Sequence, residues 1–325
     1  MNRFGDNLSI ELFGESHTPL LGVVIRGVPA QLQFTAEDFL SDIARRKSGR
    51  RGTTPRIESD TPIIEDRRMT DGSIVISFEN NNTKPSDYDR FKTVPRPGHA
   101  DFTSTVKYGE PSSGGGIFSG RMTLPIVAAG VLAKKIISPV SVRAALVEVG
   151  GVPFCNEEAV SSALMQAAEE GDSLGGVIEC TCDNVPAGLG EPFFNSVESL
   201  ISHAVYAIPG IRGIEFGDGF KAAEMKGSQH NDPFIDAEGH TSRNGAGGIN
   251  GGITNGNQIR FRVAVKPTST IRKAQETFDF KAGEMTTLSA GGRHDVCFAL
   301  RVPPVIEAVT AIVLANLFLT KKQTI

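Results

Sequence analysis

The chain of 325 residues has no tryptophan, only three tyrosines and four cysteines, and no low-complexity block. Cys155, Cys180, Cys182 and Cys297 form no CxxC pair and have no nearby Cys/His ligand set. That spacing gives no support to a zinc site or a disulfide framework and predicts four reduced structural thiols. No apolar run reaches the roughly 20 residues of a membrane span; the longest, Leu124 to Ala133 and Val309 to Leu319, fall well short. The first residues, MNRFGDNLSIELFG, lack the basic-then-apolar layout of a signal peptide and the Arg/Ser-rich pattern of a transit peptide. A cytoplasmic address and no membrane partner are therefore expected. Positive charge is not in excess either: 33 Lys and Arg stand against 37 Asp and Glu, a formal net charge of −4. This gives no global attraction to nucleic acid or anionic lipid, so any anion binding has to be local.

Glycine, by contrast, is abundant, at 36 residues where a base rate of roughly 7% gives about 23. Many backbone positions must need positive φ or close approach. Hydrophobic residues at 39% and charged residues at 22% describe an ordinary globular chain. Thr35 reads as a helix cap with Phe34 stapled onto Phe39 and Gly49 as the stop; a second helix runs from an Asn156 cap to Gly171. A third starts at an Asn195 cap and ends at Pro209-Gly210. Met122 to Ile137 and Val305 to Leu319 are apolar nearly all round, which predicts helices covered on both sides. Strand-like runs are Gly22 to Val28, Ser73 to Phe78, Val140 to Val149, Gly176 to Cys182 and Ile259 to Val265. With no repeat, linker or composition shift, one domain over residues 1–325 is expected. Its class is α+β, a layered β-α-β sandwich with the apolar helices between antiparallel sheets.

The densest charge feature is Arg45-Arg46-Lys47-Ser48-Gly49-Arg50-Arg51, followed by Arg56. On its own it reads first as a solvated helix end, then as a clamp for a polyanionic small molecule, and third as a nucleic-acid patch, the last without the aromatic interleaving such patches carry. His17, in Gly14-Glu15-Ser16-His17, reads as a structural or an acid/base histidine; so does His99, between Arg96-Pro97-Gly98 and Ala100-Asp101. Glycine clusters at 114–116, 247–252 and 291–292 match neither a Walker A loop nor a dinucleotide fingerprint. They form tight turns, or they offer N–H groups to an anion or a flat ring. Lys266-Pro267-Thr268-Ser269-Thr270 follows the clearest strand and combines a cation with hydroxyls.

Taken together and in order, these elements resemble the chorismate synthase family over almost the whole chain. The similarity runs through Gly14 to His17, the Arg45 to Arg51 cluster, Arg96 to Asp101, Gly114 to Arg121 and Val127 to Gly130. It continues through Asp172 to Gly176, Pro186 to Pro192, Gly213 to Phe220, Gly227 to Asp232, Ala246 to Gly252, Lys266 to Thr270, Gly292 to Asp295 and Arg301 to Ala308. The resemblance implies a lyase that converts 5-enolpyruvylshikimate 3-phosphate into chorismate and phosphate by a 1,4-anti elimination, the last step of the shikimate pathway. It also implies a requirement for reduced FMN, NADPH as a possible flavin reductant, and a homotetramer. A flavin-binding protein without lyase activity stays the alternative.

By the same resemblance, His17 protonates the leaving phosphate, His99 sits near the reduced flavin, and Asp295 assists proton removal, with Ser16 and Ser119 as proton relays. FMN contacts fall on Ile117, Phe118 and Ser119, on Pro209 and Gly210, on Gly251, on Lys266, Pro267, Thr268, Ser269 and Thr270, and on Arg293. Arg46 and Arg51 match positions that bind substrate or NADP phosphate. The chain departs from the family pattern at Thr18, where glycine is usual, and at Ile117-Phe118, where an arginine and a serine are usual. Pro209-Gly210 replaces a small polar pair. Backbone contacts are therefore the ones expected at these positions.

Overall fold

A computed structural model describes residues 2–81, 85–109, 113–292 and 294–323. The first sheet holds β1 (Arg3–Phe4), β2 (Ser9–Gly14), β3 (Leu20–Arg26), β4 (Ile63–Arg67) and β5 (Ser73–Glu79), in the order β1-β2-β3-β5-β4. The second draws on β6 (Ser141–Val149), β7 (Val152–Pro153), β8 (Gly176–Asp183) and β9 (Ile211–Phe216). After the small hairpin β10 (Ile249–Asn250) and β11 (Ile253–Thr254) it adds β12 (Ile259–Val265), in the order β7-β6-β8-β12-β9. All pairings in both sheets are antiparallel. A separate two-stranded arm is made by β13 (Gln275–Asp279) and β14 (Glu284–Leu288).

The helices are α1 (Glu37–Arg46), α2 (Asp101–Tyr108), α3 (Thr123–Ile136), α4 (Glu157–Glu169), α5 (Val197–Tyr206), the single turn α6 (Gly227–His230) and α7 (Pro303–Gln323). Helix α3 packs on β2, β3 and β5, α7 packs on β6 and β8, and the two helices pack on each other. This is the expected α+β layering, and it explains why both helices are apolar all round. In α3, every residue from Thr123 to Ala133 is buried. Their axes approach so closely at Gly130 that a methyl group there would lie 2.3 Å from Ala308 Cβ. One buried apolar cluster runs through both sheets and the helices between them.

Contrary to the sequence expectation, the window Pro303–Thr320 of α7 is long and apolar enough to cross a membrane, with a mean hydropathy of 1.6. Its apolarity serves the core, since 78% of the window is buried inside the protein. In β12, Ile259, Phe261, Val263 and Val265 are buried while Arg262 is exposed, as the alternation predicts.

Helix ends differ in detail. Asn156 caps α4 as expected, accepting from Ala159 N. Helix α1 has Ala36 at its N-cap with no side-chain cap, because Asp38 reaches back to accept from Thr35 N at 2.8 Å. Phe34 does meet Phe39 edge-on. The helix stops at Arg46, before Gly49. Helix α5 is capped by Ser196 rather than Asn195, through the bond from Ser199 N to Ser196 Oγ.

Candidate active site

Loops from both sheets and the ends of α1 and α5 surround a cavity of about 750 Å³. His17 enters it from the turn after β2, and His99 from the turn before α2. Ser119 and Asp295 also line it, as do Ile117, Phe118, Pro209, Gly210 and all five residues from Lys266 to Thr270. Three histidines and two aspartates thus share one space, because His294 and Asp60 line it as well. Burial lowers the pKa of His294, which favours its neutral form.

The triple-glycine segment joins the two expected acid/base groups. Gly116 O accepts from Ser16 N at 3.4 Å, and a Cβ on Gly115 would lie 3.5 Å from His99 Nε2. Gly115 has φ +95°, a left-handed conformation that L side chains rarely adopt. Ser16 is buried and touches the cavity only through His17, sharing a 2.9 Å hydrogen bond with its Nδ1. Ser119 Oγ accepts from Arg121 N, which starts the turn leading into α3.

The segment 266–270 is held by its neighbours. Lys266 Nζ and Ser269 Oγ both donate to Gly98 O, at 2.5 and 2.8 Å, tying this loop to the His99 turn. Burial and the nearby Arg212 lower the pKa of Lys266. Thr270 Oγ1 accepts from Arg96 Nη1 at 3.1 Å. Thr268 Oγ1 is buried and has no hydrogen-bond partner among the described residues.

Eight cationic side chains line the cavity against the three carboxylates Glu58, Asp60 and Asp295. Arg46 Nη2 donates to Asp60 at 3.3 Å, and Arg121 Nη1 donates to the other oxygen of the same carboxylate. Burial opposes the ionisation of Asp60, yet the two guanidiniums outweigh it and hold its pKa below the usual carboxylate value. Asp295 accepts from Thr54 N at 2.8 Å and from Arg301 at 3.2 Å, while Arg301 Nε donates to Arg46 O. Burial, with Arg301 and Arg121 close by, disfavours the charged form of Arg46, and its Nε–H is buried without a partner among the described residues. Such a cluster gains from an anion that supplies the missing acceptor.

The basic cluster of the sequence splits, because successive residues of a helix face different directions. Arg46, Lys47, Ser48 and Arg56 line the cavity. Arg45 turns away to Glu307 at 2.6 Å, and Arg50 donates to Arg45 O. Arg51, expected at a phosphate, is exposed, donates to Ser161 Oγ and does not line the cavity. Gly251, expected at the flavin, sits in the turn between β10 and β11, also outside it. Arg293 lies outside the described residues. The structure adds Asp60, Tyr206, Arg212 and Arg301, which sequence reasoning did not assign to the site. For Asp60 a signal existed only in the fold, where it adopts φ +50° between two arginines from distant segments.

A family model described as Chorismate synthase matches residues 8–319. A chorismate synthase of Chitinophaga pinensis is 54% identical over 331 residues, covering 100% of this chain and 98% of that protein. One of Dehalococcoides mccartyi is 41% identical over 351 residues, covering 98% and 96%. A crystal structure titled as chorismate synthase superposes with a TM-score of 0.72 at 26% identity, over 98% of this chain and 93% of that one. The motif order, the layered fold and the full-length similarity agree, and the chain belongs to the chorismate synthase family.

Proposed function

We propose that the cavity between His17, His99 and Lys266–Thr270 is where the family's reaction takes place. That reaction is the elimination of phosphate from 5-enolpyruvylshikimate 3-phosphate to give chorismate, with a requirement for reduced flavin. The observation that carries the placement is the local excess of cations in a chain of net charge −4, together with a buried, unpartnered Arg46 Nε–H. The substrate's phosphate and two carboxylates match that excess.

The residues present also fit a flavin mononucleotide. Ile117, Phe118, Ile208 and Phe298 offer an apolar wall to a flat ring, and Thr268 Oγ1 is a buried hydroxyl awaiting a partner. When bound, reduced FMN supplies electron density transiently and recovers it, so the elimination has no net redox change. The chain's own residues bind, orient and move protons. His17, oriented by Ser16, gives a proton to the departing phosphate oxygen, and His99 acts as acid/base near the ring edge. Asp295, held by Thr54 N and Arg301, assists removal of the ring proton, with Ser119 beside His99 as a relay. Arg46 and its neighbours stabilise the charge that develops on the leaving group.

Incubation with substrate and reduced FMN without oxygen tests this reading: phosphate release is expected, and flavin binding without release would favour a binding protein that has lost the chemistry. We extend the proposal to NADPH as flavin reductant, supported by the cation excess and checked by NADPH oxidation with FMN present. One continuous core supports a single domain over residues 1–325. The exposed Phe193, Phe194, Phe220 and Phe234 support assembly, as a homotetramer by resemblance, which light scattering measures. A cytoplasmic location completes the proposal, resting on the family's biosynthetic role.

A further inference from the structure

We propose that Asp101 is a positioning residue that fixes the His99 ring for the reaction, holding its Nδ1 proton so that Nε2 is the atom presented to the cavity. This rests on the placement of His99 in the active site given above. Asp101 Oδ1 lies 2.6 Å from His99 Nδ1, and the carboxylate is buried. At that separation a carboxylate oxygen and a ring lone pair would repel, so Nδ1 carries the proton. Arg96 Nη2 also stands within hydrogen-bond range of the same Nδ1, at 3.1 Å, and donates to Oδ1 at 2.7 Å; a guanidinium only donates, so in the Nε2–H tautomer it would donate to Nδ1, and the 2.6 Å approach of Oδ1 is what favours the proton on Nδ1.

The other oxygen, Oδ2, accepts from Arg96 N at 3.0 Å and Nε at 2.8 Å. Both oxygens are thus committed. Arg96 is fixed in turn by Thr270 Oγ1 and by the Phe91 ring, 4.5 Å from its guanidinium carbon. The ring therefore cannot turn without breaking a buried network that reaches the Lys266–Thr270 loop. With Nδ1 occupied, Nε2 points to the space that Gly115 leaves open by lacking a Cβ. A carboxylate behind the distal nitrogen stabilises the imidazolium form and selects one tautomer of the neutral form.

The test compares wild type, Asp101→Asn and His99→Ala, each with FMN and substrate. Asp101→Asn keeps the shape but loses the negative charge. Its kcat is expected to fall on the order of 10²-fold, with KM changed less than about threefold. Combining Asp101→Asn with His99→Ala should add no further loss, which a merely structural role would not produce. The ¹H–¹⁵N spectrum of the wild-type His99 ring should show a protonated Nδ1. An Nε2–H neutral tautomer there would overturn the proposal even if Asp101→Asn failed to fold. So would an Asp101→Asn enzyme with wild-type kcat while His99→Ala is impaired. Near-normal turnover in His99→Ala would instead remove the reading beneath it.

Discussion

Two ionic networks start from adjacent residues of one helix and end differently. On one side of α1, Arg45 and Lys134 close on Glu307 at 2.6 and 2.7 Å, Asp42 bonds both cations, and Ala144 N donates to Glu307. Burial is outweighed by those partners, so Glu307 is held below the usual carboxylate pKa. On the other side, among the described residues, Arg46, Arg121 and Arg301 meet two carboxylates, Asp60 and Asp295, and the Arg46 Nε–H is left without an acceptor. The first network is complete and holds α1, α3 and α7 to the second sheet. The second, among the described residues, leaves one buried N–H without an acceptor, and that deficit marks the candidate active site better than the number of arginines does.

The contrast breaks most visibly through Glu307. Glu307→Gln should destabilise the protein by about 1–3 kcal/mol, because it removes the buried charge that Arg45 and Lys134 share and leaves them Asp42 alone, while turnover per folded molecule stays near wild type. Denaturant unfolding with a matched phosphate-release assay checks both halves. A stable but inactive variant would mean that the closed network is not merely structural.

The layer between the networks gives the next effect. In most helices Gly→Ala stabilises by about 1 kcal/mol, yet at Gly130 the new methyl would meet Ala308 Cβ at 2.3 Å. Gly130→Ala should therefore cost about 1–3 kcal/mol in thermal or chemical unfolding. A gain would show that α3 and α7 are less tightly docked than described.

On the open side, Arg46→Lys keeps the charge but loses the planar fork and the unpartnered Nε–H. Substrate KM should rise about tenfold, equal to about 1.4 kcal/mol, with kcat changed less. An unchanged KM in steady-state assays would remove Arg46 from the binding surface.

The smallest expected effect is in pH dependence. Asp60 has a lower pKa folded than unfolded, so it stabilises the protein above the ordinary carboxylate value of about 4 and loses that contribution as pH falls through its folded value. Melting temperatures of wild type and Asp60→Asn should differ at pH 7 and converge below about pH 4. A gap that persists at acid pH would assign the loss to packing.

Elements with local signals were legible in the sequence. The alternation of Ile259 to Val265 gave its strand and buried face, and Asn156 gave a helix start. Asn195 did not, because the next residue, Ser196, offers an equally good oxygen and takes the cap. The arm formed by Gln275–Asp279 and Glu284–Leu288 carries only one fully buried residue, Leu288, so it has no apolar period to read. Within the site, His17, His99, Asp295 and the Lys266–Thr270 segment were reached through the resemblance and do meet. Asp60 was missed because its partner Arg121 lies far away in sequence, and Arg301 because its link to the basic cluster, Nε to Arg46 O, does too. Neighbouring arginines looked like one patch because sequence does not display which way each leaves its helix.

Single-turnover phosphate release from 5-enolpyruvylshikimate 3-phosphate, with saturating reduced FMN and without oxygen, tests the central claim most directly when wild type is compared with His17→Ala and His99→Ala. The account predicts a fall on the order of 10²-fold or more in each variant, with unchanged melting temperature. Rates near wild type in both folded variants would contradict it.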